Sequence, residues 1–532
     1  MSDWVRKFLA GFLVSLLLCV FAFAETVAGE QPNILLIITD DMYPWQMNFM
    51  PEGEGKNYTP NLDRLAEEGT VMRNQYVSSP VCTPSRYSVM TGRYASRSKA
   101  PQFLKTTEQF GQSHVQWNSF VDSEQEHTVA THLQNAGYRT GFVGKDHVIW
   151  TRGRTHLGLS SDPSDPAVQE IMRANADASR RAIFAAGFEY VSRVYHNNPD
   201  FNGSMELSLH NQDWITEGAL DFLSEQDDRP FFLYFATTVP HGPTSPERSW
   251  KGDRRATPEG WLEQAPEVQP SADSIASRAR KHGVEGGETI IWIDDAIGAL
   301  LNELEESGEL DNTVIFFFND HGQSAKGSLY QGGTYNPSFV WRPGGWPAGA
   351  ESHAVVSNID IPATMLDVAG APDLGDMDGA SFLDVLEGRK EKFRESLYFE
   401  IGYTRGVISD GFKYIALRYP DKIAKLSPEE RQAALDKLNN SLRSRGREIH
   451  NEDPTAPFGH MMAIPGGHDA GRAAQDLHPN YFDADQLYDL NVDPSEKVNL
   501  WGDEGLAERQ ASMAKLLQSY LETLPGEFPL AP

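Results

Sequence analysis

Three stretches of the chain are apolar over the length of a strand, a fourth, 139–144, is mixed, and all four stop abruptly at polar residues. Residues 33–39 run into Asp40 and Asp41, 139–144 into Lys145 and His147, 231–236 towards Pro240 and His241, and 313–318 into Asn319, Asp320 and His321. Continuous apolar runs of this length predict strands buried on both faces. Between them, 59–66, 129–136 and 290–297 carry helical periodicity. Strands alternating with helices predict an α/β fold, a large mainly parallel sheet sandwiched by helices. In such sheets ligands sit beyond the carboxyl ends of the strands, so the polar residues at these four ends are expected to converge on one pocket.

The remainder of the chain reads differently. After a charged stretch over 389–395, short strand candidates at 396–401, 406–409 and 412–417 are separated by Gly and Asp turns. They predict a smaller C-terminal α+β subdomain containing an antiparallel sheet. A helix is expected over 429–447. Residues 451–481 are rich in Pro, Gly and His, with His460, His468 and His478, and read as a loop over the surface or back towards the pocket. The expected organisation is residues 1–24, then a catalytic domain over 25–388, then the C-terminal subdomain over 389–532. No internal repeat is found.

Composition narrows the function. With 532 residues, 40% hydrophobic and 23% charged, the chain has ample material for a packed core. A formal charge of −29 lacks the basic footprint that nucleic-acid binding needs, so no nucleic acid is expected as partner. An anionic ligand would have to be met by a local positive pocket.

The first 24 residues read as an export signal. Arg6 and Lys7 precede the apolar run 8–23, and Ala22, Phe23 and Ala24 provide the small-x-small cleavage pattern. The run is short of the roughly 20 residues a membrane span needs, so no stable membrane insertion is expected. Leu18 before Cys19 counts against a lipoprotein signal. The protein is expected to be periplasmic or secreted. Loss of Cys19 with the signal leaves Cys82 as the single thiol, which cannot form an internal disulfide. The default reading of such a cysteine is a buried spectator.

Its neighbours argue otherwise. In Pro80-Val81-Cys82-Thr83-Pro84-Ser85-Arg86, Thr83 suits an N-cap and Pro84 a first helical position, placing Cys82 at the mouth of a helix running towards Gly92. Helix mouths favour anions. Cys82-Thr83-Pro84-Ser85-Arg86 with Thr91-Gly92-Arg93 resembles the signature of the type I, formylglycine-dependent sulfatases of the alkaline phosphatase superfamily. The resemblance extends through Gly144-Lys145-Asp146-His147, Asp320-His321-Gly322, Lys326-Gly327-Ser328-Leu329-Tyr330-Gln331-Gly332-Gly333 and Asp378-Gly379 to Leu487-Tyr488-Asp489-Leu490.

The resemblance implies an alkaline-phosphatase-like fold and a sulfuric ester hydrolase. It implies that Cys82 is converted to formylglycine by a maturation enzyme, and that one hydroxyl of the hydrated aldehyde attacks sulfur while the other permits sulfate release. It implies that Asp40, Asp41, Asp320 and His321, with the modified Cys82, hold one divalent cation, usually calcium. Three carboxylates suit a hard cation, while histidine is less typical of calcium and leaves the identity of the ion open. Arg86 would hold the oxygens of residue 82, Lys145 would add positive charge and His147 a proton acceptor. His241 and Lys326 would face the ester oxygen, with His241 as the better general acid.

Three positions depart from the pattern. Met42 stands where Gln is frequent, Asp146 where an aromatic is common and Gln331 where Glu is frequent. The expected substrate is a sulfated carbohydrate, an oligosaccharide or a polysaccharide end, because export suits large external substrates and the negative charge repels long polyanions. Neither the sugar, the sulfate position nor the oligomeric state is written in a short motif. Two other functions compete: a phosphonate monoester or phosphodiester hydrolase of the same superfamily, and a catalytically silent protein that only binds sulfated glycans, with Cys82 unmodified.

Overall fold

The computed structural model describes residues 31–372, 375–444, 449, 452–455 and 470–530. The export-signal reading of residues 1–24, Cys19, His460 and His468 lie outside these. Among the described residues no helix is long and apolar enough to cross a membrane.

The central sheet comprises β1 (Asn33–Asp40), β2 (Thr70–Met72), β3 (Arg139–Lys145), β4 (Tyr190–Tyr195), β5 (Phe231–Pro240), β6 (Thr313–Asn319), β7 (Ser338–Trp341) and β8 (Ala350–Ser352). Its spatial order is β8-β2-β7-β6-β1-β5-β3-β4. The pairs from β6 across to β4 are all parallel, and β7 runs antiparallel between β6 and β2. The fold is thus the expected α/β arrangement around a mainly parallel sheet.

The uninterrupted apolar strands follow from burial on both faces. Ile34, Leu36 and Ile38 of β1 pack into one core with Tyr87 and Val89 of the helix Cys82–Thr91, Leu133 of Val129–Asn135 and Met365 of Asp360–Val368. Leu35 and Ile37 point the other way, into a core with Leu62 and Leu65 of Pro60–Glu68, Ile215 of Gln212–Ser224 and Ile297 of Glu288–Glu306. Each such side chain contributes roughly 1.5–3 kcal/mol on burial. The helices on the two faces thereby fix the plane of the sheet and the level at which its strands end.

Two irregularities re-aim those ends. Register slips between β3 and β4 at Val143 and Gly144, with Arg193 at φ 53° as the extra residue. It slips again between β1 and β5, where Ile38 faces Ala236 but Asp40 faces Pro240. Such bulges commonly redirect side chains beside functional sites.

The C-terminal antiparallel sheet is β9 (Ser396–Ile401), β10 (Thr404–Ser409), β11 (Phe412–Leu417) and β12 (Asp485–Asp489), in that order. One face packs Tyr398, Val407, Tyr414 and Leu487 against Met513 and Leu517 of the helix Ala507–Leu521. The other face sends Leu397, Phe399 and Ile415 into the same core as β1. The helix expected over 429–447 is seen as Pro428–Ser444 within the described residues.

Gly144 shows how tightly the bulge is built. It has φ 97°, and a Cβ there would lie 1.9 Å from the Ala236 carbonyl oxygen, whereas Gly137, at φ 94°, has open space around it. Both substitutions to Ala incur the cost of a positive φ, but only Gly144→Ala adds a clash with a neighbouring strand. By urea unfolding, Gly144→Ala should lose at least about 2 kcal/mol more than Gly137→Ala. Equal losses would mean that β3 and β5 yield freely at the bulge.

Candidate active site

The carboxyl ends of β1, β3, β5 and β6 do meet. Asp40 closes β1 and Asp41 follows it at φ 67°, a conformation that Asp tolerates better than most residues. Asp320 and His321 follow β6, whose in-register pairing with β1 brings Thr39 opposite Asn319. Asn319 is a brace rather than a ligand: its Oδ1 accepts from Met42 N at 3.0 Å and its Nδ2 donates to Met42 O at 3.2 Å. Asp320 Oδ1 accepts from Asp41 N at 3.2 Å. Three carboxylates are thereby held side by side with almost no solvent exposure.

Cations from other elements neutralise them. Arg86, fully buried one turn along the Cys82–Thr91 helix, donates to Asp320 Oδ2 through Nε at 3.3 Å and Nη2 at 3.2 Å, and Nη2 reaches Asp40 Oδ1 at 3.4 Å. Lys145, at the end of β3, pairs with Asp40 Oδ2. Lys326 Nζ donates to Asp41 Oδ1 at 2.6 Å and Oδ2 at 2.7 Å. Burial alone would raise both aspartates, yet Lys145 and Lys326 hold Asp40 and Asp41 far below the usual carboxylate range.

Asp320 is less well compensated. Burial and the nearby Cys82 and Asp40 push it above the usual range. Burial would depress His321, but Asp320 raises it, so this pair, 3.6 Å apart, retains a proton. His321 Nε2 lies 3.1 Å from Asp41 Oδ1 and 3.5 Å from Cys82 Sγ. Ligand atoms of Asp41, Cys82, Asp320 and His321 all lie within 4.8 Å of one another. Asp40 lies outside that quartet and is taken up by Lys145 and Arg86. Two carboxylates and an imidazole around an under-neutralised point fit a divalent cation, and oxygen at residue 82 in place of sulfur would suit a hard one better.

The helix that presents Cys82 differs from the sequence expectation in its first turn. It spans Cys82–Thr91 with Val81 as N-cap, so Thr83 does not cap it and its hydroxyl has no partner among the described residues. Pro84 occupies the third helical position rather than the first. The start moves upstream because the N–H groups of a first turn have no intrahelical acceptors, so proline is accommodated anywhere within it. Ser85 N is the first to bond back, to Val81 O at 3.2 Å. Gly92, at φ 68°, ends the helix. Cys82 remains at the mouth, fully buried: burial pushes its thiol up, but Lys326 and Lys145 outweigh that and bring it down to about 6.

The histidines complete the ring. His147, at φ 47°, is buried, and its Nδ1 has no partner among the described residues. Burial and the adjacent Lys145 depress it well below an ordinary histidine, so it is neutral at physiological pH. His241 Nδ1 lies 2.9 Å from Gly242 O and its Nε2 is 3.4 Å from Asp41 Oδ2. Asn198, which the sequence reading missed, places Nδ2 2.8 Å from His241 Nε2 while its own Oδ1 is buried with no partner among the described residues. It lies just past β4, a strand whose mixed pattern Tyr-Val-Ser-Arg-Val-Tyr conceals its place in the sheet. Tyr234, 3.4 Å from Arg86 Nη1, was also missed, hidden inside the apolar run of β5.

Lys326 is held from two sides. Gly327 N donates to Pro80 O at 2.9 Å, tying the segment to the approach to Cys82. Behind it, buried Lys413 of β11 donates to Leu329 O at 2.9 Å and pairs with Glu496 at 2.9 Å, while Glu496 Oε2 accepts from Gln331 N at 2.5 Å. His478 stacks on Tyr330 at 3.6 Å. Of the histidines in the Pro- and Gly-rich stretch, His478 therefore braces the Lys326 segment.

Comparison with known proteins gives a consistent result. A family model described as Sulfatase matches residues 32–371. N-acetylgalactosamine-6-sulfatase of Canis lupus familiaris is 28% identical over 414 residues, covering 73% of this chain and 72% of that protein. An arylsulfatase of Clostridium perfringens is 27% identical, covering 70% and 81%. Among solved structures, BT4656 in complex with its substrate D-glucosamine-2-N,6-O-disulfate superposes with TM-score 0.57 at 20% identity, over 93% of this chain and 98% of that one. Phosphonate monoester hydrolase of Agrobacterium radiobacter does so with TM-score 0.57 at 16% identity, over 92% and 96%. At these identities the structural likenesses establish the shared fold.

The cluster predicts an unusual thiol. In metal-free protein made without maturation, Cys82 should titrate near pH 6 by its thiolate absorbance, thiol below and thiolate above. Lys326→Met removes the larger of the two depressing charges, so the midpoint should climb towards about 8.5, the value of an unperturbed cysteine. A midpoint that stays near 6 in the variant would contradict the assigned electrostatics.

Proposed function

The chain belongs to the sulfatase family and is a sulfuric ester hydrolase, and we propose that it is an exported enzyme that removes sulfate from sulfated carbohydrates at a formylglycine formed from Cys82. The observation that supports this reading is the seating of Cys82: a buried thiol at a helix mouth, facing His321 and Asp320, within the field of Lys326, Lys145 and Arg86. A structural cysteine needs none of these neighbours.

A formylglycine hydrate and a divalent cation, calcium by family likeness, would supply the nucleophilic oxygen and Lewis-acid charge. Asp41, Asp320 and His321 would hold the cation with residue 82, and Asp40 would complete its carboxylate surroundings. The other roles belong to side chains already placed. Arg86 and Lys145 are anchored on Asp40 and Asp320 and present fixed positive charge to the bound sulfate at no cost in reorganisation. His147, kept neutral by burial, takes the proton from residue 82 that sulfate release requires.

On the ester side, Lys326 and His241 both contact Asp41 and are set to meet charge building on the bridging oxygen. His241 donates its proton there from Nε2. Asn198 serves either protonation state: its Nδ2 donates to a neutral Nε2, and the flipped amide would accept from a protonated one. Burial of Asp40, Asp320, Arg86 and Lys145 strengthens their interactions, while His241 and Lys326 stay partly exposed on the side from which substrate enters.

The chemistry accords with the relatives. Sulfatases named for N-acetylgalactosamine 6-sulfate and aryl sulfates align over two thirds or more of this chain. The charge of −29 disfavours long polyanions, which points to saccharide ends and oligosaccharides. Domain roles follow the same reading, with residues 25–388 carrying the reaction and 389–532 bracing the Lys326 segment.

Parallel kinetics test the assignment. Matured enzyme should release sulfate from N-acetylgalactosamine 6-sulfate and from an aryl sulfate with kcat/KM at least about a hundredfold above that for an aryl phosphonate, a gap of about 2.7 kcal/mol. The reverse order would make it a phosphonate monoester hydrolase. His241→Ala should lose about 10²–10⁴ in kcat on a carbohydrate sulfate and much less on an aryl sulfate, whose better leaving group needs less proton donation. Equal losses on both would remove His241 from the role of acid.

A further inference from the structure

Beside the site lies a second concavity, at the carboxyl ends of β3 and β4. It has a volume of about 290 Å³, and its lining includes Arg154, His156, His196, Asn197, Phe201 and Asn202. None of its lining residues is a carboxylate, although the chain as a whole carries 75 acids against 46 bases. Cationic, amide and aromatic groups together are the means by which proteins grip an acidic saccharide.

Its position relative to the reaction is fixed by two short contacts. His147 N donates to His196 O at 3.1 Å. Two residues further on, Asn198 touches His241 at 2.8 Å. The wall of the cavity is thus the same loop that touches the predicted acid. Asp146 accepts from Val148 N at 3.1 Å and Ile149 N at 2.8 Å, and its Oδ2 lies 3.4 Å from His196 Nδ1, so it braces this wall from behind.

Arg154 is the main charge in the cavity. Its Nη1 donates to Asn175 O at 3.1 Å and Ser179 Oγ at 2.8 Å, both neutral, and among the described residues no carboxylate forms an ion pair with it. Neighbouring arginines such as Arg152, Arg180 and Arg193 are all paired with acids. Asp146 acts on its charge only from beyond ion-pair distance, and a guanidinium tethered by one edge with no carboxylate in contact is prepared for a planar or tetrahedral anion. We propose that this cavity is a subsite for an anionic sugar, one bearing a carboxylate or a second sulfate, next to the residue that loses its sulfate, with Arg154 as its specificity determinant. The proposal rests on the carbohydrate-sulfatase reading and goes beyond it by naming the neighbouring unit.

Three substrates with the same scissile 6-sulfate test it: a monosaccharide, a disaccharide with a neutral neighbour, and a disaccharide with a uronic acid neighbour. Wild type should turn over the uronic acid disaccharide with kcat/KM about tenfold above the neutral one. Arg154→Met should abolish that advantage and leave the other two substrates within about twofold, and Arg154→Lys should restore part of it. An equal loss on all three would make Arg154 a structural brace, and an undiminished uronic acid advantage would place the anion elsewhere. If no substrate releases sulfate, the carbohydrate-sulfatase reading fails by itself. Calorimetry with the unsulfated uronic acid disaccharide then decides the cavity: weakening of about tenfold in Arg154→Met upholds it, and equal Kd values overturn it.

Discussion

Three carboxylates buried side by side are the constraint around which this molecule is built. Asp40, Asp41 and Asp320 sit at the ends of adjacent parallel strands with almost no exposure, where uncompensated charge would cost many kcal/mol. Every other feature of the site answers that cost. Arg86 arrives from the helix of one face, Lys145 from the end of β3, and Lys326 from a segment held by the C-terminal sheet. Lys326 and Lys145, which make the carboxylates tolerable, also lower the thiol of Cys82.

The C-terminal region has a place in this logic. The Lys413 and Glu496 pair is itself buried, and it also bonds main-chain groups at Leu329 and Gln331 and the Thr334 hydroxyl. Lys326 is therefore positioned by a chain of polar contacts running from the second sheet, through its own segment, to Pro80 two residues before Cys82. The two sheets also share one apolar core, so displacement of either would be felt at the site.

Much of this was legible in the sequence because burial on both faces leaves a simple trace. The runs leading to Asp40, His241 and Asp320 are largely apolar without alternation, the strand Arg139–Lys145 is more mixed, and each ends where a side chain of the cluster begins. The hairpin strands Ser396–Ile401 and Phe412–Leu417 stood out for the opposite reason, short runs between turn residues. What stayed hidden has physical causes. The edge strand β4 is half-exposed, and its pattern carries no strong period, so Asn198 and the cavity beyond it were not foreseen. The strand Asp485–Asp489 is short and pairs with β11 across almost 70 residues of chain, which no local pattern reports. The cap of the Cys82 helix was misplaced because Thr83-Pro84 has the composition of a helix start, while the backbone begins its first turn before it.

The central claim is that residue 82 acts as an oxidised side chain within this cation and carboxylate cluster to cleave sulfate esters. Mass spectrometry of the peptide spanning Cys82, taken from the same preparation whose sulfate release is measured, tests it most directly. The account predicts the mass of an aldehyde or its hydrate at residue 82, in a fraction that rises in proportion to specific activity across preparations. Full activity in protein whose residue 82 is entirely an unmodified thiol would contradict it.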